Sequence, residues 1–212
     1  MTLAATRRLW VLLTLLSGII YFDPALAQAP QGKPVTIRGK ISAVEKQSLK
    51  VATSAGDVLV RLPDNVRIGG VEAAKLSDIS AGKFVGTTAV KQADGSLKAV
   101  EVHIFPESAR GTGEGHRPWD LEPGSTMTNA NVEKVEPVSV EKIQGELLTL
   151  KYKDGEQKIV VPLGTPIVKN VSGDRSLLKV GAGVYIAAVR GDDGTLTANR
   201  ITAGIAGIMP PM

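Results

Sequence analysis

Val35, Ile37, Gly39, Ile41 and Ala43 alternate with Thr36, Arg38, Lys40 and Ser42, the period-two pattern of a strand with one face buried and the other polar. Leu49-Lys50-Val51 and Val58-Leu59-Val60 predict the next two strands, with Ser54-Ala55-Gly56-Asp57 as the turn between them. After Pro63 the alternation stops. Residues Glu72 to Ile79 predict one or two helical turns, ended before Gly82. Lys83 to Gln92 and Ser96 to Phe105 then predict two more strands. They are joined at Asp94-Gly95, a pair suited to a tight hairpin because both central residues of a type I′ turn need positive φ.

The same order returns later. Residues 49–99 lie over residues 148–198 at a constant offset of 99, with thirteen identities that include Leu49/Leu148, Pro63/Pro162, Gly82/Gly181, Val85/Val184 and Asp94-Gly95/Asp193-Gly194. Strands are therefore expected at Leu147 to Tyr152, Gln157 to Val161, Val184 to Arg190 and Thr195 to Ala203, with a turn at Ser176-Leu177-Leu178. The first strand of this repeat falls near Asn129 to Val135, and an insertion around Glu136-Pro137-Val138 breaks the offset before Leu49. What is copied is a folding unit, because the repeated residues are strand, turn and core types. Five strands with a helical turn between the third and fourth are the plan of an OB-type Greek-key barrel, and closure removes the bare edges of an open meander. The expectation is an all-β chain of two tandem five-stranded OB-like barrels, residues 35–105 and 129–204, joined by an ordered connecting segment, 106–128.

Leu76-Ser77-Asp78-Ile79-Ser80-Ala81-Gly82-Lys83-Phe84-Val85-Gly86-Thr87 with Asp94 to Ala99 and Val102 resembles the domain of unknown function numbered 5666, a small bacterial β-barrel module. Leu178 to Val184 with Asp193 to Ala198 and Ile201 resembles it a second time. The resemblance implies a fold and an envelope location, and supplies no catalytic residue. Phe105 to Asn131 is similar to the central stretch of uncharacterised secreted proteins with this two-repeat plan. Some of those have been described as metal-transporter permeases, a role that the lack of a later membrane-spanning stretch argues against.

Residues 1–27 read as a secretory signal peptide: Arg7-Arg8, a run of twelve from Leu9 to Ile20, then Ala25-Leu26-Ala27. The run is shorter than the roughly 20 residues of a permanent span. The mature chain is expected to begin at Gln28, with residues 28–34 disordered, and to work in the periplasm of a Gram-negative bacterium or outside the cell. Loss of the leader takes two arginines and Asp23 from 25 basic and 21 acidic residues and leaves +3. These charges are scattered, and no basic run with interleaved aromatics marks a nucleic-acid surface. With no cysteine, the barrels must hold by packing alone.

The connecting segment is rich in Gly and Pro, yet it carries His116, Trp119, Leu121 and Met127, which gain by burial. It is expected to fold back across both barrels with Trp119 as anchor, and Arg110, His116, Trp119 and Asp120 are the candidate ligand-binding residues. An alternative gathers Glu101, His103, His116 and Asp120 around a divalent metal, Glu101 and His103 sharing one side of a strand. Gly111-x-Gly113-x-Gly115 has no following Gly-Lys-Ser/Thr and no strand-to-helix context for nucleotide binding. Ser108 and Ser125 sit in no nucleophile elbow, and Asp192-Asp193-Gly194 lacks calcium-loop spacing. The apolar tail, residues 205–212, has a barrel, the segment or a partner as possible contacts. The sequence thus points to a non-enzymatic exported binding or scaffold protein without a cofactor, its partner an envelope protein, a peptide or a glycan. The alternative is a periplasmic metal-binding or metal-transport accessory protein.

Overall fold

A computed structural model describes residues 32–140 and 143–211; the expected leader and residues 28–31 lie outside them. The chain is all-β. Its strands are β1 (Lys33–Val44), β2 (Ser48–Thr53), β3 (Gly56–Arg61), β4 (Arg67–Ala73), β5 (Phe84–Lys91), β6 (Leu97–Ile104), β7 (Gly115–Pro118), β8 (Ser125–Val140), β9 (Ile143–Tyr152), β10 (Gly155–Pro162), β11 (Ile167–Ser172), β12 (Gly183–Arg190) and β13 (Leu196–Gly204). Three 3-10 turns, Leu76–Asp78, Glu107–Ala109 and Arg175–Leu177, punctuate them. The expected strands are present. Lys33 and Pro34, expected in a disordered N-terminus, instead pair with Arg190 and Val189.

The connectivity corrects the expectation of one barrel per repeat. All thirteen strands of the described residues belong to one sheet, and that sheet closes on itself twice. The first ring runs β1-β2-β3-β13-β12 and back to β1, so three strands of the first repeat are completed by the last two of the second. The other ring, β8-β9-β10-β6-β5, is the converse. The cores are mixed in the same way: Ile37, Leu49 and Val60 share one with Ile186 and Ile201, while Val85 and Val102 share the other with Leu148 and Ile159. Closure within a repeat or between repeats buries the same residue types. Hydrophobic pattern alone does not distinguish the two.

What directs the exchange is a pair of strands the pattern did not reveal. β4 and β11 lie antiparallel, Asn170 opposite Val71, and carry the chain from one ring to the other. Ile68-Gly69-Gly70-Val71 has weak strand propensity, and Glu72-Ala73-Ala74-Lys75 has good helix formers, so the stretch resembles a helical turn in isolation. Gly70 is there for contact. A Cβ on Gly70 would stand 2.9 Å from Ile205 Cδ1 and 3.1 Å from Leu177 Cδ1. The helical element shrinks to the single turn Leu76–Asp78.

One backbone contact recurs in both rings. Ile41 N donates to Ala182 O and Gly181 N to Ile41 O; in the other ring Val132 N donates to Lys83 O and Gly82 N to Val132 O. These bonds make Val132 the counterpart of Ile41, an offset of 91 for the first strand. The insertion is a longer β8–β9 hairpin, paired out to Val140 opposite Ile143.

Candidate functional site

The outward faces of β5–β6 and β12–β13 are equivalent surfaces that would meet water in isolated barrels. Here they lie at the junction. Gly86, Thr88, Glu101 and His103 lie on the outward side by alternation with Val85, Ala89, Val102 and Ile104 in the core, and the register shift beyond Glu101 brings Ala99 into the core as well. Glu101, His103, Thr88 and Thr202 are all at most 3% exposed. Burial of this much polar surface is tolerable only if its groups find partners.

Most do. Thr88 Oγ1 donates to Glu101 Oε1 at 2.6 Å, and His103 Nε2 lies 3.7 Å from that oxygen. The two ring nitrogens of His103 face acceptors on both sides, Nδ1 3.2 Å from Asn170 Oδ1 and Nε2 2.7 Å from the carbonyl of Pro211. Burial opposes the charged imidazole, but Glu101 and these acceptors outweigh it and hold its pKa above the ordinary value. The apolar tail is thereby placed: it turns at Gly204–Gly207, runs back over the junction and seats Pro211 on His103.

Beside this pair a cavity of about 190 Å³ opens between the rings. Gly86, His103, Phe105 and Asn129 line it from one ring, and Tyr185, Ala187, Arg200 and Thr202 from the other. The connecting segment forms the cover with Gly113, Arg117 and Trp119, and Met127 lies beneath it. Gly86 keeps the floor open, since a Cβ there would be 2.7 Å from Asn129 Oδ1 and 2.9 Å from the Phe105 ring. Three buried polar atoms on the wall have no partner: Trp119 Nε1, Asn129 Oδ1 and Thr202 Oγ1. No carboxylate residue lines the cavity, whereas Arg117 and Arg200 do, and the guanidinium of Arg117 sits 5.6 Å over the Trp119 ring.

The connecting segment is ordered and docked. Trp119 N donates to Ser125 O, Asn129 Nδ2 to Thr112 O, and β7 pairs with β8. Of the four expected ligand-binding residues only Trp119 reaches the cavity, half-buried rather than fully so. Arg110 is a clamp: its guanidinium binds Glu107, Asn131 Oδ1 and the carbonyl of Gly82. Asp120 crosses to the first ring and pairs with Arg38 at 2.8 Å, a contact that lowers its pKa. His116 is exposed, with Nδ1 2.8 Å from Thr128 Oγ1. The metal alternative is corrected likewise: Glu101 and His103 adjoin, but His116 and Asp120 are engaged elsewhere. Among the described residues no three His, Asp or Glu side chains converge as a metal site would require.

Ser125 Oγ donates to Trp119 O inside the segment's own turn, and Asp193 accepts from Thr195 N and Oγ1 at 2.9 and 2.8 Å, a plain hairpin device. Sequence reasoning missed Asn129, Tyr185, Arg200 and Thr202. They occupy outward strand positions where polar residues are unremarkable, and only the facing of two such surfaces across the cavity gives them a role. No helix among the described residues is long and apolar enough to cross a membrane. Comparison with protein-family models, with curated proteins and with solved structures gave no match to this chain.

Proposed function

We propose that this is a non-enzymatic exported binding protein of the bacterial envelope, which holds a small ligand in the cavity between its two rings. The observation that carries this reading is the set of three unpartnered polar atoms, Trp119 Nε1, Asn129 Oδ1 and Thr202 Oγ1, around one apolar-walled space. Each such atom costs about 1–3 kcal/mol unless something hydrogen-bonds to it. A pocket with a few convergent polar groups on an apolar wall is the ordinary form of a small-molecule site. The histidine on its wall, His103, has both ring nitrogens engaged, and among the described residues no nucleophile or oxyanion cradle accompanies the cavity, so binding rather than turnover is the function proposed. The leader-like residues 1–27 support the exported location. The five-stranded rings and short turns accord with OB-type modules, and with the resemblance to the domain numbered 5666, read with the last two strands of each module exchanged.

The test is a fragment screen by ligand-detected NMR on the exported protein and on Ala187→Leu, which fills the cavity from its wall. Fragments that bind the wild type and not the variant support the reading. A screen with no binders, or binders indifferent to Ala187→Leu, refutes it.

A further inference from the structure

The charge and shape of the cavity carry the reading one step further, to a class of ligand. Its volume, about 190 Å³, is close to the roughly 150 Å³ of a cavity that accommodates benzene and below the roughly 300 Å³ at which drug-sized sites begin. One ring with a few further atoms fits, whereas a peptide or a disaccharide does not. The wall suits a ring: Phe105, Trp119 and Tyr185 offer aromatic surface and Met127 a polarisable thioether.

The polar groups set the substituents. Arg117 and Arg200 bring two positive charges; of the nearby acidic groups Asp120 is paired with Arg38, and Glu101 is engaged through Oε1 by Thr88 and His103 while its Oε2 is buried without a partner and does not line the cavity. His103 has both nitrogens occupied and presents no free donor. The unpartnered indole N–H of Trp119 is a donor only, and the Thr202 hydroxyl can donate as well. Asn129 Oδ1 is an acceptor and asks for one donor on the ligand. We infer that the cavity takes a small hydroxylated aromatic carboxylate. Its carboxylate meets the guanidinium groups, its ring lies against the aromatic wall, and its hydroxyl donates to Asn129 Oδ1. This rests on the binding reading above.

The test is isothermal titration of the exported protein with three isosteric probes: 4-hydroxybenzoate, the neutral 4-hydroxybenzyl alcohol and the cationic 4-hydroxybenzylamine. The anion is expected to bind best. Arg200→Gln, at an exposed position that leaves both cores intact, should weaken the anion about tenfold or more while moving the neutral probe less than about twofold, since a charge-assisted bond is lost only for the former. Ala187→Leu should abolish the binding of 4-hydroxybenzoate. If the neutral or cationic probe binds as well as the anion and loses binding in Ala187→Leu, the anion assignment falls and the cavity remains a site. If none of the three binds, the inference falls as a whole, and the fragment screen decides separately whether the cavity binds anything.

Discussion

Ile37→Ala combined with Ile186→Val probes the exchanged rings directly. The two isoleucines face each other across β1 and β12, 5% and 0% exposed, in the core of the first ring. Truncating a buried Ile to Ala costs about 2–5 kcal/mol and to Val about 0.5–1.5 kcal/mol. Against a stability of about 5–15 kcal/mol for a domain, the singles keep a measurable transition, and the pair does so unless both costs reach the top of their ranges in a protein at the bottom of this one. Because both changes enlarge one space, the pair should depart from additivity by about 0.5 kcal/mol or more. The control is Ile37→Ala with Val85→Ala. Val85 is the repeat counterpart of Val184 and would lie beside β1 if each repeat closed its own ring, yet it belongs to the other core. That pair should add to within about 0.3–0.5 kcal/mol. Urea unfolding followed by circular dichroism supplies all six values. Coupling in the control pair together with additivity between Ile37 and Ile186 would refute the exchanged connectivity.

Four further outcomes are expected. Gly95→Val and Gly194→Val should each cost about 1–3 kcal/mol in the same assay: their φ values are +86° and +81° with open space around them, so the cost is backbone strain. His103, whose pKa is raised by folding, contributes stability that is full below the unfolded value near 6.5 and fades as pH rises through the folded value. Unfolding free energies should therefore fall on the alkaline side in the wild type and flatten in His103→Gln, and a rise instead would contradict the charged pair. Arg110→Ala should speed thermolysin cleavage between Gly111 and Pro123, because the clamp onto Gly82 and Asn131 is gone, and an unchanged rate would show that β7 pairing alone holds the segment. Intact mass of the exported chain should correspond to a start at Gln28; a full-length product would remove the basis for export.

The strands were legible wherever burial on one face imposes a period of two, as at Val35 to Ala43, and so were the hairpin tips at Asp94-Gly95 and Asp193-Gly194, though only the glycines take positive φ there and the turns are not the type I′ pair expected. The insertion before Leu148 was legible as a break in the offset. The exchange was not, because pairing partners leave no mark on a strand's own pattern: Ile37 alternates identically beside Ile186 or beside Thr87. β4 was hidden by Gly69-Gly70, of which Gly70 serves the close approach of Ile205 and Leu177 rather than propensity. At the site, Trp119 and Met127 announced themselves as apolar residues in a polar segment. Asn129 and Thr202 did not, since a polar residue on an outward strand face signals nothing until a second face covers it. Arg110 and Asp120, expected to bind ligand, are instead used by the fold to fasten the segment.

Lys33 pairs with Arg190, so the first ring cannot close until almost the whole chain exists. Such long-range pairing raises contact order, and the entropy of closing so large a loop must be met before any contact compensates it. At about 5–20 residues per second of synthesis, β1 waits roughly 8–30 s for β12, and β2 and β3 wait with it. During that interval the apolar faces of Ile37, Leu49 and Val60 are bare, and the β12–β13 hairpin of any neighbouring copy is a chemically perfect match for them. Refolding should therefore be slow, and its yield should fall with protein concentration as strands are traded between chains instead of within one.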